Sequence, residues 1–310
     1  MSIAFIFPGQ GSQSVGMGKA LADAFPEAKA VFDAADDALN EKLSTLCWEG
    51  PDEALKLTAN TQPAILTVSV AAHAVFSKRF TTAPSFVAGH SLGEYSALVA
   101  AKAMSLGDAV KAVRARGTFM QEAVPAGVGT MAAVLGLDPE KIAQVCKEAE
   151  QGEVVSCANF NDPSQTVIAG HVGAVNRASE LLKAAGAKRV LPLPVSAPFH
   201  CSLMQPVVPR LAGVLGEFAN PVVPVISNVE ATPNSDGARV KELLLKQVTG
   251  SVRWIETVQT MEKAGVTKVV ELGPGRALCG MVKRIAKGIE LFNVEDVESL
   301  EKTLSALEAK

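Results

Sequence analysis

The sequence predicts an α/β protein with a mostly parallel sheet and a smaller α+β unit set into it. Three observations carry that expectation. Apolar segments rich in Ala, Val and Leu alternate with short Gly/Pro breaks, the rhythm of strands and helices taken in turn. Residues 130–193 read as strand, helix, strand, strand, helix, strand, the order of a ferredoxin-like unit. Residues 86–101 pass from a short apolar strand to a helix through Gly89-His90-Ser91-Leu92-Gly93.

Residues 3–7 form an apolar first strand, ended by Pro8-Gly9-Gln10-Gly11-Ser12-Gln13, with a helix expected after Gly18. The Gly-rich loop is no nucleotide site. Met17 stands where a phosphate-binding loop needs Lys, and Ser14 where a dinucleotide fingerprint needs its third Gly. Small and apolar residues predict a helix over 62–80 that leads into the strand at 86–88. A helix over 106–123 carries the stripe Leu106, Ala109, Val110, Val113, Gly117 and Met120 at helical spacing. Residues 130–137 read as a strand, and Asp138-Pro139-Glu140 opens a helix with Pro in its first turn. Strands at 154–160 and 166–169 are joined by the turn Asn161-Asp162-Pro163-Ser164. A helix over 172–185 stops at Gly186, and 188–193 is the last strand of the unit. Residues 125–196 are therefore expected as an inserted subdomain, with 1–124 and 197–310 making up the large domain. Beyond it the pattern predicts a helix at 201–217 and a strand at 222–227. Helices at 240–247 and 255–264 follow, then a strand at 266–272 stopped by Gly273-Pro274-Gly275. A helix, a strand at 291–294 and a C-terminal helix complete the chain.

With 310 residues, 48% of them hydrophobic, the chain can bury a large core. A net charge of −3 gives no footprint for nucleic acid. The five cysteines, Cys47, Cys146, Cys157, Cys201 and Cys279, are scattered and include no C-x-x-C. That pattern argues against a disulfide framework or a metal site and fits a reduced cytoplasm. The N-terminal apolar run is too short for a signal peptide, and no stretch suits a membrane span.

Gly89-His90-Ser91-Leu92-Gly93 reads G-x-S-x-G. A strand turning sharply into a helix exposes the central serine, and the helix N-terminus aims free amides at what that serine attacks. Ser91 is thus a candidate nucleophile, in competition with an ordinary strand–helix turn. A nucleophile needs a base, and the chain offers four histidines. His73 lies inside a helix, His90 adjoins Ser91, and His171 closes a strand. His200, in Pro198-Phe199-His200 where the chain re-enters the large domain, is the candidate by elimination. Asp108, Asp138 and Asp162 fall between serine and histidine, none at a distinctive strand end, so a backbone carbonyl could orient His200 instead. Arg116 flanks a buried stripe, where a charge needs an anionic partner: a structural acid or a ligand.

Phe7-Pro8-Gly9-Gln10-Gly11-Ser12-Gln13, Gly89-His90-Ser91-Leu92-Gly93-Glu94-Tyr95, Arg116-Gly117, Pro198-Phe199-His200 and Gly273-Pro274-Gly275, in that order, resemble the malonyl-CoA:acyl carrier protein transacylases of bacterial type II fatty-acid synthesis. The resemblance implies a hydrolase-like α/β core with an inserted ferredoxin-like subdomain. It makes Ser91 the acyl acceptor, His200 its base, and the amides of Gln10 and Leu92 an oxyanion hole. It gives Arg116 the malonyl carboxylate, and Gln247 the main-chain carbonyl that orients His200. Phe199, before the base, goes in such enzymes with malonyl rather than methylmalonyl. The implied partners are malonyl-CoA and an acidic acyl carrier protein, for which Lys188, Arg189 and Arg276 are candidate docking residues. A cytoplasmic monomer without cofactor is expected. The competing expectations are an esterase or thioesterase, which needs an acid in the triad; a docking module without activity; and a discrete acyltransferase of polyketide synthesis.

Overall fold

The computed structural model describes residues 2–195 and 197–308. In chain order the elements are β1 (Ile3–Phe7), α1 (Lys19–Ala24), α2 (Pro26–Leu39), α3 (Leu43–Glu49), α4 (Asp52–Leu55), α5 (Thr58–Arg79), β2 (Phe86–Gly89), α6 (Gly93–Ala100) and α7 (Leu106–Glu122). The chain then forms β3 (Gly129–Leu135), α8 (Pro139–Ala149), β4 (Val155–Asp162), β5 (Gln165–His171), α9 (Val172–Ala184) and β6 (Arg189–Pro192). It continues as α10 (Val207–Val214), β7 (Val225–Ile226), β8 (Pro233–Asn234), α11 (Gly237–Thr249), α12 (Trp254–Lys263), β9 (Lys268–Leu272), α13 (Ala277–Ile285), β10 (Glu290–Val294) and α14 (Val297–Glu308).

The larger sheet runs β10-β9-β1-β2-β7-β8, parallel except at the β7–β8 edge. β1 lies between β2 and β9 and is buried at all five positions, because helices cover both faces of a parallel sheet. Its odd positions Ile3, Phe5 and Phe7 face one core cluster, and Ala4 and Ile6 face another with Trp254 and Val258. α5 is buried nearly all round and forms the spine of the first cluster.

That helix begins four residues before its expected start. Pro63 sits inside the helix, beyond its first turn. Proline has no N–H, so the carbonyl of Ala59 four residues back is left free. Arg114 Nη1 takes it at 2.8 Å. α7 crosses close by at Gly117, where a Cβ would come within 2.6 Å of the Thr58 carbonyl. The close approach brings Arg116 against Gln62 on α5.

The second sheet runs β4-β5-β3-β6, wholly antiparallel, between residues 129 and 192. Alternation splits its two faces. Ala132, Val134, Val155 and Ile168 pack on α8 and α9, while Met131, Ala133, Val167 and Ala169 join the main core. The β4–β5 connection is tighter than expected, since Asn161 and Asp162 still belong to β4. Asp162 holds the two units together: buried, it accepts from Ser164 and pairs with Arg284 Nε on α13 at 2.8 Å.

Two expectations after residue 200 need correction. Residues 201–217 hold a 3-10 turn, Ser202–Met204, and then only the short α10, because Pro206 interrupts the run. Residues 222–227 supply just the two-residue β7, because Pro224 cannot donate to a sheet ladder. Helices α2, α3 and α4 were not anticipated at all.

Candidate active site

The strand–turn–helix at residues 86–100 is built around close backbone packing. A Cβ on Gly89 would sit 1.9 Å from the Gly93 carbonyl, and one on Gly93 would sit 2.2 Å from that of Phe7. Both positions therefore require glycine. Ser91 itself has φ 53°, a left-handed conformation that costs a non-glycine residue energy and marks a strained turn. Asn228 secures that turn, accepting from the Ser91 amide at 2.7 Å and donating to the Gly89 carbonyl at 2.6 Å.

Ser91 Oγ lies 2.7 Å from His200 Nε2. His200 Nδ1 lies 2.9 Å from the main-chain oxygen of Gln247. A carbonyl can only accept, so Nδ1 carries the proton and Nε2 is left to accept from the serine hydroxyl. His200 also has positive φ, 58°. Burial, together with the neighbouring Arg116 charge, pushes its pKa down to about 3, so the imidazole is neutral around pH 7.

Arg116 is 1% exposed and forms no ion pair among the described residues. Two glutamine side chains hold its guanidinium instead: Gln62 Oε1 accepts from Nη1 at 2.7 Å and Gln247 Oε1 from Nη2 at 2.9 Å. Nη2 also donates to Ser91 Oγ at 3.1 Å, and Nε is buried with no partner. A buried guanidinium held only by neutral groups keeps its charge uncompensated and can accept an anionic partner.

Ser91, His200 and Arg116 share a cavity of about 100 Å³ with Gln10, Gln62, Met120, Met131, Leu193 and Phe199. A second groove, about 410 Å³, shares Gln10, His90, Asn159 and Leu193 with it and runs along residues 8–12 to Ala277 and Met281. Among the described residues, neither the Gln10 nor the Leu92 main-chain N–H donates to a protein acceptor. Leu92 is the N-cap position of α6, where amides are free by helix geometry.

The other candidates fall elsewhere. His90 Nε2 donates to Asn161 Oδ1 at 2.8 Å, bridging the two units beside the cavity. His73 packs edge-on against Phe5 and Phe7. His171 Nδ1 accepts from the Val154 amide. Asp138 caps α8, Asp108 lies in the first turn of α7 bonded to the capping Ser105, and Asp162 is taken by Arg284. Cys201 is buried and donates to the Pro198 carbonyl, and its thiol pKa is pushed up to about 11 by burial. Lys188 and Arg189 are exposed at the end of β6 away from Leu193; at about 3.3 Å per residue that is roughly 13–17 Å along the strand. Three residues that sequence reasoning did not assign to the site, Gln62, Asn228 and Glu94, are buried in it.

The acyl transferase domain family matches residues 4–301. A malonyl CoA-acyl carrier protein transacylase from Bacillus subtilis is 50% identical over 308 residues, covering 98% of this chain and 97% of the relative. The chain is a malonyl-CoA:acyl carrier protein transacylase family member. Among solved structures, an acyl carrier protein S-malonyltransferase from Vibrio cholerae superposes with a TM-score of 0.96 at 48% identity, covering 98% of this chain and 100% of that one. A malonyl-transacylase solved in complex with its type II polyketide acyl carrier protein gives a TM-score of 0.96 at 46% identity, covering 99% and 100%. In this transacylase-family chain all five sequence motifs fall within the matched span.

Proposed function

We propose that this protein moves a malonyl group from malonyl-CoA to the phosphopantetheine thiol of an acyl carrier protein in fatty-acid synthesis, through a malonyl-Ser91 ester. The observation that carries the reading is Arg116: a buried guanidinium, unmatched by any acid, donating to the very oxygen that would be acylated. An esterase for neutral acyl groups has no use for that charge.

Ser91 Oγ attacks the thioester carbon while its proton passes to His200 Nε2. The tetrahedral oxyanion is received by the Gln10 and Leu92 amides. The C–S bond breaks, and coenzyme A leaves with the proton from His200. The carrier thiol then gives its proton to His200 and attacks the serine ester; the bond from the acyl carbon to Oγ breaks, and Ser91 Oγ takes the proton back from His200. This is a ping-pong sequence with a covalent intermediate. Every group it calls on is a side chain or amide of this chain, so the reading includes no resident cofactor. Arg116 can offer a carboxylate two parallel N–H bonds, a geometry that lysine does not reproduce. Before substrate arrives, one of those N–H groups rests on Ser91 Oγ. The malonyl carboxylate would replace that contact. We place Phe199 on the wall beside the base, 8% exposed and lining the cavity, as the group that limits an α-substituent. The reading extends to a cytoplasmic location and to a monomer, and light scattering tests the second.

The test is the mass of the intact protein after incubation with malonyl-CoA. One malonyl adduct, mapped to Ser91 and missing in Ser91→Ala, is expected. An adduct that persists in Ser91→Ala, or maps to Cys201, would overturn the assignment.

A further inference from the structure

Glu94 is a carboxylate buried directly beneath the nucleophile turn, 3% exposed, on the first turn of α6. The mechanism above gives it nothing to do. Buried carboxylates are costly unless they are fully hydrogen-bonded or paired, and Glu94 has no ion pair among the described residues. Its Oε2 accepts from the Asn228 amide at 3.0 Å and from Gln247 Nε2 at 2.8 Å.

The second contact reaches the site. The Gln247 amide has two unlike ends, and only one arrangement suits its neighbours. Its Nε2 donates to Glu94 and to the Ser91 carbonyl at 2.9 Å, which leaves Oε1 facing Arg116 Nη2. Turned about, the amide would set N–H groups against a guanidinium that can only donate. Glu94 Oε2, which accepts from both the Asn228 amide and Gln247 Nε2, selects the working orientation. The same residue's main-chain oxygen holds His200.

We propose that Glu94 is a positioning residue for malonyl selection: its carboxylate fixes the Gln247 side-chain amide, and through it the placement of the Arg116 guanidinium over Ser91. The chain of contacts is carboxylate to amide to guanidinium. It steadies the guanidinium through the amide while its remaining N–H groups stay open to the substrate. A glutamate bonded to Arg116 directly would occupy them. The proposal rests on the reading of Arg116 as the carboxylate receptor.

Glu94→Gln tests it. Glutamine can still accept one hydrogen bond, but it also brings N–H groups and no charge, so the selection of the Gln247 orientation is weakened. Malonyl-to-acetyl kcat/KM is expected to fall at least several-fold, mostly through a raised malonyl KM. Labelling of Ser91 by a neutral organophosphate, which does not use Arg116, should change little. A merely structural role would instead lower both acyl activities and the labelling rate together, with the ratio unchanged, and that result overturns the proposal. Gln247→Met offers a second route in case the first variant does not fold. It keeps the main-chain oxygen for His200 and removes the amide, and it should lower the ratio as well; an unchanged ratio overturns the proposal. A double-mutant comparison isolates the route. In an Arg116→Ala background, Glu94→Gln should have no further effect on the ratio, and an undiminished effect there overturns the proposed path. If Arg116→Ala alone leaves the ratio intact, the receptor reading fails too. If Arg116→Ala collapses the ratio and Glu94→Gln does not, only the role of Glu94 is lost.

Discussion

Replacing Arg116 by alanine separates a malonyl transferase from a general serine acyl enzyme. The substitution removes three hydrogen bonds, to Gln62, Gln247 and Ser91, and deletes a buried charge with no ion pair. A substrate carboxylate would then enter a buried site without its partner. Leaving one member of a buried pair uncompensated costs about 3–5 kcal/mol. At about 1.4 kcal/mol per factor of ten, malonyl kcat/KM should fall roughly 10²- to 10⁴-fold. Acetyl transfer makes no use of the guanidinium. Acetyl kcat/KM should hold or rise, because the deleted side chain also leaves the serine oxygen uncovered. Folding stability should fall modestly, because the buried Gln62 and Gln247 oxygens lose their donor, a cost partly offset by removal of a buried charge whose Nε has no partner. The assay is kcat/KM for malonyl-CoA and acetyl-CoA in wild type and variant, with a melting curve for each. Parallel loss of both activities with an earlier melt would mean that Arg116 is a structural group, and the reasoning from its unmatched charge would fail.

Phe199→Ser should raise methylmalonyl transfer relative to malonyl, read as the ratio of kcat/KM; lowered stability with an unchanged ratio would reduce Phe199 to a packing residue between the two units. Glu271 is fully buried and caps α13 through the amides of Leu278 and Cys279, and burial raises its pKa to about 7. Since its folded pKa exceeds the ordinary carboxylate value, its contribution to stability is fully present below about pH 4.5 and is lost as pH rises through about 7. Glu271→Gln should therefore flatten the fall in Tm between pH 5 and 8 relative to wild type, and identical slopes would contradict the assignment. Glu94, also raised to about 7, acts in the same direction in both proteins and cancels in the difference.

The parts of the fold set by local pattern were legible in the sequence. The strand at 3–7, the glycines of the serine turn and the βαββαβ run announce themselves through apolar runs, steric need and periodicity. The serine, the base and the arginine were legible because each is an unusual residue in its setting. What failed did so for physical reasons. Two prolines shaped elements whose bounds were misread: Pro63 sits inside a helix because Arg114 satisfies the freed carbonyl, whereas Pro224 truncates a strand. The polar scaffold was invisible because its partners are far apart in the chain: Glu94 meets Gln247 across 153 positions and Ser91 meets Asn228 across 137. One signal was available for Glu94. It is the only charge in α6, which is otherwise apolar and small apart from a tyrosine and a serine, and a lone acid in such a setting is buried for a reason.

The same scaffold bears on why such a site would transfer rather than hydrolyse. In a hydrolytic triad an acid behind the histidine stabilises the imidazolium that forms as the base takes its proton. Here the group behind His200 is a neutral carbonyl, and the nearest formal charge is the Arg116 cation, which opposes protonation. His200 is accordingly a weak base, its pKa held down to about 3 by burial first and by the Arg116 charge second. A weak base is a small handicap with a thiol, whose pKa is about 8.5 in free cysteine. It is a large one with water, at 15.7. The malonyl-Ser91 ester should therefore persist in water and discharge quickly to a thiol. Mixing the isolated acyl-enzyme with buffer alone, and with a small thiol such as pantetheine, measures the two rates. Thiolysis should exceed hydrolysis by orders of magnitude, and Arg116→Ala, which opens the cavity to water, should narrow the gap by speeding hydrolysis. Hydrolysis as fast as thiolysis in the wild type would show that the weak base does not set the fate of the ester, and hydrolysis unaltered by the substitution would show that the closed cavity does not.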